Sequence, residues 1–428
     1  MKSQIEFEPK EIIKELQDKK LAELLLRVSD KSKFYKSLFV ANEIDISKIE
    51  SIDDLHLLPF TSKKDLAANN EDFLCVNKNE IKDYVTTSGS LGDPIAYYLT
   101  AKDLERLAYN EALSLAVADG NEDEVYQLMT TLDKQFMAGI AYYTGVQRLG
   151  AGIIRVGPGS PYLQWDSIKR FSPTVLIAIP SFIPKLIEYA IENNIDYKNS
   201  SVKSVICIGE PIRNNDFSYN ELGKRITSNW DIKLYSTYAS TEMGVAFTEC
   251  KYSIGGHHHP ELIILEVLNE DNKRVGDGEV GEVVVTTLEV EGMPLIRYRT
   301  GDLCSVHYSP CKCGRTTTRL GPVVGRKQQM IKFKGTTIFP SAIFDVLEMF
   351  AEIKIYQVEV SKNEFGNDNI VIVLSNELHT EEFERKLISM FRSKLRVKPL
   401  LRFADEAVLT KKVILEKKRK PEKIVYLK

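Results

Sequence analysis

A short segment rich in hydroxyl groups and glycine has the composition of a phosphate-binding loop. It consists of Thr86, Thr87, Ser88, Gly89, Ser90, Leu91, Gly92, Asp93 and Pro94. Glycines let consecutive backbone N–H groups converge on an anion, and small hydroxyl side chains add hydrogen-bond donors. The β-rich residues on both sides predict a turn between two strands. An ordinary hairpin turn is the alternative, and the segment is not a Walker A loop because Asp93 stands where that motif requires lysine.

A second polar cluster contains one carboxylate among hydroxyl groups. Its members are Tyr238, Ala239, Ser240, Thr241, Glu242, Met243 and Gly244. Mg²⁺ is commonly bound by one or two carboxylates together with substrate phosphates, so Glu242 is a candidate ligand for a magnesium–nucleotide complex. The alternative is a helix that begins at a Ser or Thr cap and carries the glutamate in its first turn.

Two more clusters lie further along the chain. Asp302 follows Gly301 after a strand-like approach, where a carboxylate can accept hydrogen bonds from two ribose hydroxyl groups. A turn with a surface ion pair is the alternative there. The segment 325–335 combines positive charge with a strand pattern, which suits both a hinge and a nucleotide contact. It would otherwise be an exposed hairpin.

Three cysteines and one histidine make a complete ligand set for tetrahedral zinc: Cys250, His257, Cys311 and Cys313. The Cys-x-Cys spacing is tighter than the usual Cys-x-x-Cys, and His258 and His259 are alternative ligands. The competing interpretation is three buried thiols and a surface histidine. Because four protein ligands leave no position for water, we expect a structural role for this metal. The remaining cysteines are interpreted as ordinary buried thiols: Cys75, Cys207 and Cys304.

Composition narrows the class of protein. A formal net charge of −3 with 27% charged residues gives no overall basic field, which argues against a nucleic-acid partner. No apolar run is long enough to span a membrane, and the first residues lack the apolar core of a secretory signal. The six cysteines have no framework spacing that would indicate disulfides. We therefore expect a cytoplasmic protein without a membrane partner.

The pattern of secondary structure predicts an α/β fold in two domains, since 428 residues exceed what one core usually serves. Short apolar runs alternate with amphipathic helices and predict a parallel sheet: 152–156, 175–178 and 205–208. Antiparallel strands at 262–267 and 281–288 then predict a β-rich subregion. Beyond it, a helix, two strands and a helix predict a compact α+β unit. The expected domains are 1–326 and 327–428.

Taken in order, the four clusters resemble the core motifs of the acyl-adenylate-forming enzymes, with the phenylacetate–coenzyme A ligase branch the most similar. The resemblance extends from about Phe60 to the C-terminus and includes the segments 180–182 and 209–211. It implies a large adenylate-forming domain and a small, mobile C-terminal domain. The implied reaction joins a carboxylic acid to ATP as an acyl-adenylate, with Mg²⁺, and then passes the acyl group to coenzyme A.

The same resemblance implies residue roles. The ATP phosphates would be held by Thr87, Ser88, Gly89, Ser90 and Gly92, beside Ser240 and Thr241 of the second cluster. Glu242 would bind magnesium, Asp302 the ribose hydroxyls, and Arg326 the ribose or a phosphate. Adenine would be bordered by Gly209, Glu210, Pro211, Tyr238 and Ala239. Lys420 would reach the junction of carboxylate and phosphate, where a cation offsets developing charge; a solvated basic tail is the alternative.

Other features of the resemblance leave questions open. Similar enzymes usually carry lysine at Asp93 and Asp-Asp at Gln328-Gln329, which places the hinge at Gln328. Phe136 lies in a segment like the family's aryl pocket, and with Tyr142 and Tyr238 it favours an aromatic acid, although such rings could equally be core. Some phenylacetate–ligase-like proteins have a similar Cys/His arrangement, and similar ligases are often homodimers. There are two alternative functions. One is transfer of the acyl group to the phosphopantetheine of an acyl carrier protein, and the other is nucleotide binding without catalysis.

Overall fold

The computed structural model describes residues 4–87, 94–333, 336–362, 368–414 and 421–427. The chain divides into two compact units, Met1–Val323 and Val324–Lys428. The boundary expected from the sequence, between residues 326 and 327, lies close to this division. Within the described residues, we find no helix that combines the length and apolar character needed to cross a bilayer.

The first unit is an α/β structure. Its described α-helices are α1 (Lys10–Lys31), α2 (Lys33–Ala41), α3 (Lys63–Ala68), α4 (Ala101–Val117), α5 (Met137–Leu149), α6 (Pro161–Phe171), α7 (Ile183–Glu192) and α8 (Glu221–Asn229). Its strands are β1 (Thr61–Ser62), β2 (Ile81–Thr86), β3 (Ala96–Thr100), β4 (Val125–Leu128), β5 (Gly152–Arg155), β6 (Val175–Ala178), β7 (Ser204–Ile208), β8 (Lys233–Ser240), β9 (Val245–Glu249), β10 (Gly256–His257), β11 (Ile263–Leu268), β12 (Val280–Thr287), β13 (Tyr298–His307) and β14 (Arg319–Arg326).

One large sheet combines the parallel and antiparallel strands. In the described part of the chain its order is β11-β12-β13-β14-β10-β9-β8-β7-β6-β4-β5, with β1 paired to β13. The strands from β5 to β8 pair in parallel, whereas β8 pairs with β9 in the antiparallel direction. The predicted α/β class is confirmed. The antiparallel strands, which the sequence indicated as a separate subregion, continue the same sheet.

Burial explains why the central strands form. Every residue of β6 is buried, as expected for a strand covered by helices on both faces. The helix α4 begins with a capping box in which Thr100 and Asp103 exchange hydrogen bonds. It packs closely on α5, because a Cβ atom at Gly145 would lie 2.3 Å from the Cβ of Glu111. The two helices and the sheet enclose an apolar core that includes Leu115 and Val146.

The second unit is a small α+β structure. Its described elements are β15 (Ile331–Phe333), β16 (Thr336–Ile338), α9 (Pro340–Glu348), β17 (Tyr356–Lys362), β18 (Asp368–Ser375), α10 (Glu381–Leu395), β19 (Leu400–Ala404), α11 (Glu406–Val413) and β20 (Ile424–Tyr426). A four-stranded sheet has the order β19-β18-β17-β20. Leu347, Phe391 and Ile372 form part of its buried core. The predicted order of helix, strand, strand and helix is confirmed by α9, β17, β18 and α10; β19, α11 and β20 were missed.

A buried ion pair connects the segment after β7 to the end of β9. The guanidinium of Arg213 donates to both carboxylate oxygens of Glu249, with Nε–Oε2 at 2.7 Å and Nη2–Oε1 at 2.8 Å. Their side chains are only 5% and 2% exposed. The ring of Tyr219 lies 4.4 Å from the guanidinium carbon. Each charge therefore has its partner of opposite sign inside the fold, and Arg213 also donates to Phe217 O at 3.1 Å.

We predict that Arg213→Met lowers the free energy of unfolding of the first unit by about 3–5 kcal/mol, because Glu249 is left buried without its partner. Urea unfolding followed by tryptophan fluorescence measures this loss. The double variant Arg213→Met/Glu249→Leu removes both charges and should lose less than the single variant. A double variant that is less stable than the single one would contradict this account of the pair.

Candidate active site

The hydroxyl- and glycine-rich loop is closed at its base by Thr87. The strands β2 and β3 form an antiparallel pair, which confirms that the loop joins two strands. The backbone N–H of Thr87 donates to Ile95 O at 2.9 Å, and the N–H of Ile95 donates to Thr87 Oγ1 at 3.1 Å. Thr87 is buried. Its hydroxyl thus holds the two ends of the loop together. Ser88, Gly89, Ser90, Gly92 and Asp93 lie outside the described residues.

Glu242 lies in the tight turn 241–244, which connects β8 to β9. Ser240 pairs with Val245 in the antiparallel register, so the alternative of a capped helix is wrong here. Gly244 has a φ of 55°, a conformation that favours glycine. Met243 is fully buried and anchors the turn in the core, while Glu242 remains half-exposed. The turn therefore presents its carboxylate outward from a fixed base.

Asp302 and Tyr238 are brought together by the sheet. Tyr238 Oη donates to Asp302 Oδ2 at 2.8 Å, although the residues are 64 positions apart. Burial, reinforced by the charge of Asp302, raises the pKa of Tyr238 well above its ordinary value, so the phenol stays a donor. Gly301 has a φ of 75° at an irregularity in the pairing of β13 with β12. Tyr298 Oη lies 3.5 Å from Glu242 Oε1, which connects Glu242 to the same strand as Asp302.

The segment 209–211 follows the carboxyl end of β7, the parallel neighbour of β8. Ile208, the last residue of β7, pairs with Thr237, next to Tyr238. Gly209 has a φ of 77° and turns the chain out of the sheet. Glu210 Oε2 accepts a hydrogen bond from the N–H of Ser181 at 3.1 Å. Ligands commonly bind at this edge of open α/β sheets, so the placement suits a nucleotide.

The remaining residues expected at the site are described by their own positions along the chain. Arg326 ends β14 and Gln328 lies in a short 3-10 helix, Lys327–Gln329, both in the second unit. Lys420 falls outside the described residues. Tyr142 is buried in the core between α4, α5 and the sheet, where burial and the charge of Glu111 raise its pKa. Phe136 is half-buried immediately before α5.

Cys250, His257, Cys311 and Cys313 converge, and their ligand atoms lie within 4.8 Å of one another. The sulfur atoms of Cys250 and Cys311 are 3.7 Å apart, and Cys313 Sγ lies 3.6 Å from His257 Nε2. Tetrahedral zinc, with Zn–S of about 2.3 Å and Zn–N of about 2.0–2.1 Å, requires separations of about 3.8 Å and 3.6 Å. These two separations are compatible with tetrahedral zinc coordination, and the four ligand atoms lie close enough together to be tested as one site.

The neighbouring histidines are engaged elsewhere. His258 Nε2 lies 2.6 Å from Ile263 O, and His259 contacts the carboxylate of Glu6 through Nδ1 and Ser114 through Nε2. Burial lowers the pKa of His257 and so favours the neutral imidazole that a metal needs. Of the three histidines, His257 is thus the one placed among the thiols. Cys75, Cys207 and Cys304 are buried, as the sequence indicated.

Sequence reasoning missed two charged residues of α4 that support the site. Asp103 accepts hydrogen bonds from the N–H groups of Glu291 at 2.6 Å and Gly292 at 2.9 Å. Arg106 is buried and donates to the backbone oxygen of Gly244 in the turn 241–244 at 2.9 Å. The available signal was two charges three positions apart on a helix whose buried face also contains many apolar residues.

Comparison with known proteins agrees with this geometry. Residues 12–290 match the family model described as AMP-binding enzyme. The chain belongs to the AMP-binding enzyme family. The phenylacetate–coenzyme A ligase of Thermus thermophilus is 28% identical to this AMP-binding enzyme over 365 residues, which are 84% of the chain and 80% of the ligase. The corresponding ligase of Escherichia coli is 28% identical over 360 residues, 81% and 79% of the two chains.

A solved structure supports the fold of the AMP-binding enzyme. The 2-hydroxyisobutyryl-CoA ligase in its postadenylation state, in complex with R3-HIB-AMP, superposes with a TM-score of 0.84 at 22% identity. The alignment covers 99% of this chain and 91% of that one. At this identity the likeness shows the fold. The resemblance to the acyl-adenylate-forming enzymes, in their phenylacetate–coenzyme A ligase-like branch, is confirmed.

We predict that Tyr238→Phe in this AMP-binding enzyme lowers the free energy of unfolding by about 1.5–3 kcal/mol, because it removes a hydrogen bond to the charged carboxylate of Asp302. Urea unfolding of the purified variant measures the change. Tyr84→Phe is the matched control, since Tyr84 is 54% exposed. Equal stability of the two variants would show that the bond to Asp302 contributes nothing.

Proposed function

We propose that this AMP-binding enzyme is an acid–thiol ligase, which activates a carboxylic acid with ATP and transfers the acyl group to coenzyme A. The observation that carries the proposal is the convergence of Tyr238, Glu242 and Asp302 in a chain of this family. It is supported by the similarity to phenylacetate–coenzyme A ligases. Structures of the 2-hydroxyisobutyryl-CoA ligase with its acyl-AMP and coenzyme A give further support.

In this proposal Asp302 accepts hydrogen bonds from the ribose hydroxyls, and Tyr238 holds the carboxylate in place. The segment 209–211 and Ala239 border adenine at the edge of the sheet. The loop that Thr87 closes contains Ser88, Gly89, Ser90 and Gly92. In this proposal its serine hydroxyl groups and its backbone N–H groups bind the phosphates. Arg326, from the second unit, contacts the ribose or a phosphate.

Glu242 is the proposed magnesium ligand. A single outward carboxylate beside the hydroxyls of Ser240 and Thr241 fits Mg²⁺, which takes its other ligands from phosphates and water. When bound, the ion neutralises charge on the phosphates. Glu242 would hold the ion in a defined position, because its turn is fixed by the buried side chain of Met243 and by the hydrogen bond from Arg106 to Gly244 O.

Lys420 is proposed to act at the first chemical step. A carboxylate oxygen attacks the α-phosphorus, pyrophosphate leaves, and the ammonium group offsets the charge that develops between the two. Lys423 is less suited, because its Nζ lies 3.3 Å from Glu348 Oε1 within the second unit. The segment that contains Lys420 is tied at its base, where Glu422 N–H donates to Val413 O at 2.7 Å.

The second step transfers the acyl group. The thiol of coenzyme A attacks the carbonyl carbon of the acyl-adenylate, the thioester forms, and AMP leaves. This step requires Lys420 to be withdrawn, and rotation of the second unit about Gln328 is the proposed means. We extend the proposal to a cytoplasmic homodimer, on the resemblance alone.

An aromatic acid is the proposed substrate. Two ligases of phenylacetate are among the similar proteins, and Phe136 and Tyr238 offer aromatic walls. Tyr142 lies in the core and would support the pocket from behind instead of touching the acid. The 2-hydroxyisobutyryl-CoA ligase, similar in fold, acts on a small aliphatic acid, so this class is the direct competitor.

We predict acid-dependent exchange of labelled pyrophosphate into ATP, with phenylacetate and related aryl acids the best of a panel that includes 2-hydroxyisobutyrate. Lys420→Ala should lower the exchange rate by about 100-fold or more, because an electrostatic contact to the transition state is lost. Lys412→Ala, an exposed lysine of α11, is the control and should keep full activity.

The outcomes separate the alternatives. Exchange without any thioester from free coenzyme A, but with acylation of a phosphopantetheinylated carrier protein, would favour the carrier as acceptor. Absence of exchange with every acid would favour a nucleotide-binding protein without catalysis. Full exchange in Lys420→Ala would remove that lysine from the mechanism.

We also propose a structural zinc ion held by Cys250, His257, Cys311 and Cys313. The support is the match of their separations to tetrahedral coordination and the burial of His257. The ligands come from the end of β9, from β10 and from the loop between β13 and β14. The ion would therefore hold the antiparallel strands together and take no part in the chemistry.

We predict about one zinc ion per chain in protein purified without chelator, as measured by plasma emission spectroscopy. Cys311→Ser should lose the zinc and lower the unfolding temperature of the first unit, because binding free energy contributes to folding. Cys75→Ala, a buried thiol outside the set, should retain zinc. Metal-free wild-type protein that is equally stable would contradict the proposal.

A further inference from the structure

Arg106 is bound by three backbone oxygens and lies inside the first unit. Its Nη1 donates to Gly244 O at 2.9 Å, its Nη2 to Leu262 O at 2.6 Å and its Nε to Leu288 O at 2.8 Å. The residue is 8% exposed. All three nitrogen atoms of the guanidinium thus donate hydrogen bonds, and these bonds join chain segments that are far apart in the sequence.

One of these segments is the turn that presents Glu242. The bond from Arg106 ends at Gly244, the last residue of the turn 241–244. A Cβ atom on Gly244 would lie 3.2 Å from Arg106 Nη1, and its φ of 55° disfavours any side chain. The contact between guanidinium and turn is therefore close, and glycine is the residue that permits it.

A second side chain of α4 forms a hydrogen bond with the hairpin of β8 and β9. Asn110, one helical turn after Arg106, accepts a hydrogen bond from the N–H of Ala246 through Oδ1 at 3.2 Å. Residues four apart lie on one face of a helix, so α4 holds both Gly244 and Ala246 from the same side. Two polar side chains of α4 thus fix where β9 begins.

Close packing does not replace this bond. A cavity of about 20 Å³ lies beside the turn, lined in part by Arg106, Thr241 and Gly244. Such a volume admits one water molecule, so packing beside the turn is incomplete. The hydrogen bond from the guanidinium to Gly244 O supports the turn next to this cavity.

We propose that Arg106 is a positioning residue, which fixes the position of the turn 241–244 so that Glu242 can bind the magnesium–nucleotide complex. The inference rests on the proposed role of Glu242 in magnesium binding. It assigns no contact between Arg106 and the substrate. Without the guanidinium, the turn relaxes toward the cavity and the carboxylate recedes from the ion.

The test measures how ATP binding depends on Mg²⁺, by calorimetry on the full-length protein. Arg106→Gln should require roughly tenfold more Mg²⁺ than wild type to reach half-maximal ATP affinity. This is the factor expected for the loss of one hydrogen bond that involves a charged group, here the bond from the guanidinium to Gly244 O. AMP binding without metal should stay within about twofold of wild type, and Arg106→Lys should restore part of the Mg²⁺ response.

The matched control is Arg319→Gln. Arg319 is also buried and also donates to backbone oxygens, Ile254 at 2.7 Å and Ser309 at 3.0 Å, but not to the turn. Gly244→Ala supplies a second variant if Arg106→Gln does not fold, since it disturbs the same contact from the other side. It should raise the Mg²⁺ requirement in the same direction.

The inference is overturned if Arg106→Gln and Gly244→Ala keep the wild-type Mg²⁺ dependence, or if both change AMP and ATP binding equally. It is also overturned if wild-type ATP binding is independent of Mg²⁺. Failure of the proposed ligase looks different. In that case the Mg²⁺ response still shifts in Arg106→Gln, while wild type shows no acid-dependent exchange.

Discussion

The site depends on the strand β8, which has a parallel neighbour on one side and an antiparallel neighbour on the other. Its pairing with β7 places the segment 209–211 beside Tyr238. Its pairing with β9 creates the turn that carries Glu242. Because the register of a strand fixes which side chains lie next to each other, a slip of one residue in either pair would separate the residues proposed to bind the nucleotide from the one proposed to bind the metal.

Buried arginines join distant segments within the first unit. Arg106 binds three backbone oxygens, Arg213 binds Glu249, and Arg297 binds Glu266 with Nε–Oε2 at 3.0 Å and Nη2–Oε1 at 2.9 Å. A guanidinium has five donors in a rigid plane, so it can join several segments at once. The proposed zinc ligands would add a further connection between the antiparallel strands beyond β9. The first unit is thus stabilised by long-range polar contacts as well as by its core.

Local chemistry made part of this structure predictable. Glycines and β-rich flanks indicated the hairpin loop closed by Thr87, and buried apolar runs indicated the parallel strands. The helix alternative at Glu242 arose because a Ser-Thr-Glu sequence suits a cap as well as a turn. The bond between Arg106 and Gly244 joins residues 138 positions apart, so no local pattern could reveal it. For the same reason, spacing could not select His257 over His258 and His259, or show that Tyr142 lies in the core.

The central claim is that the acid attacks the α-phosphorus of ATP, and oxygen transfer tests this most directly. The acid is labelled with ¹⁸O in its carboxylate, and the products are analysed by mass spectrometry after a complete reaction with ATP and coenzyme A. An acyl-adenylate intermediate leaves one labelled oxygen in AMP when the thiol displaces it. The account therefore predicts AMP that carries a single ¹⁸O beside unlabelled pyrophosphate. Label in inorganic phosphate with ADP as the nucleotide product would contradict it.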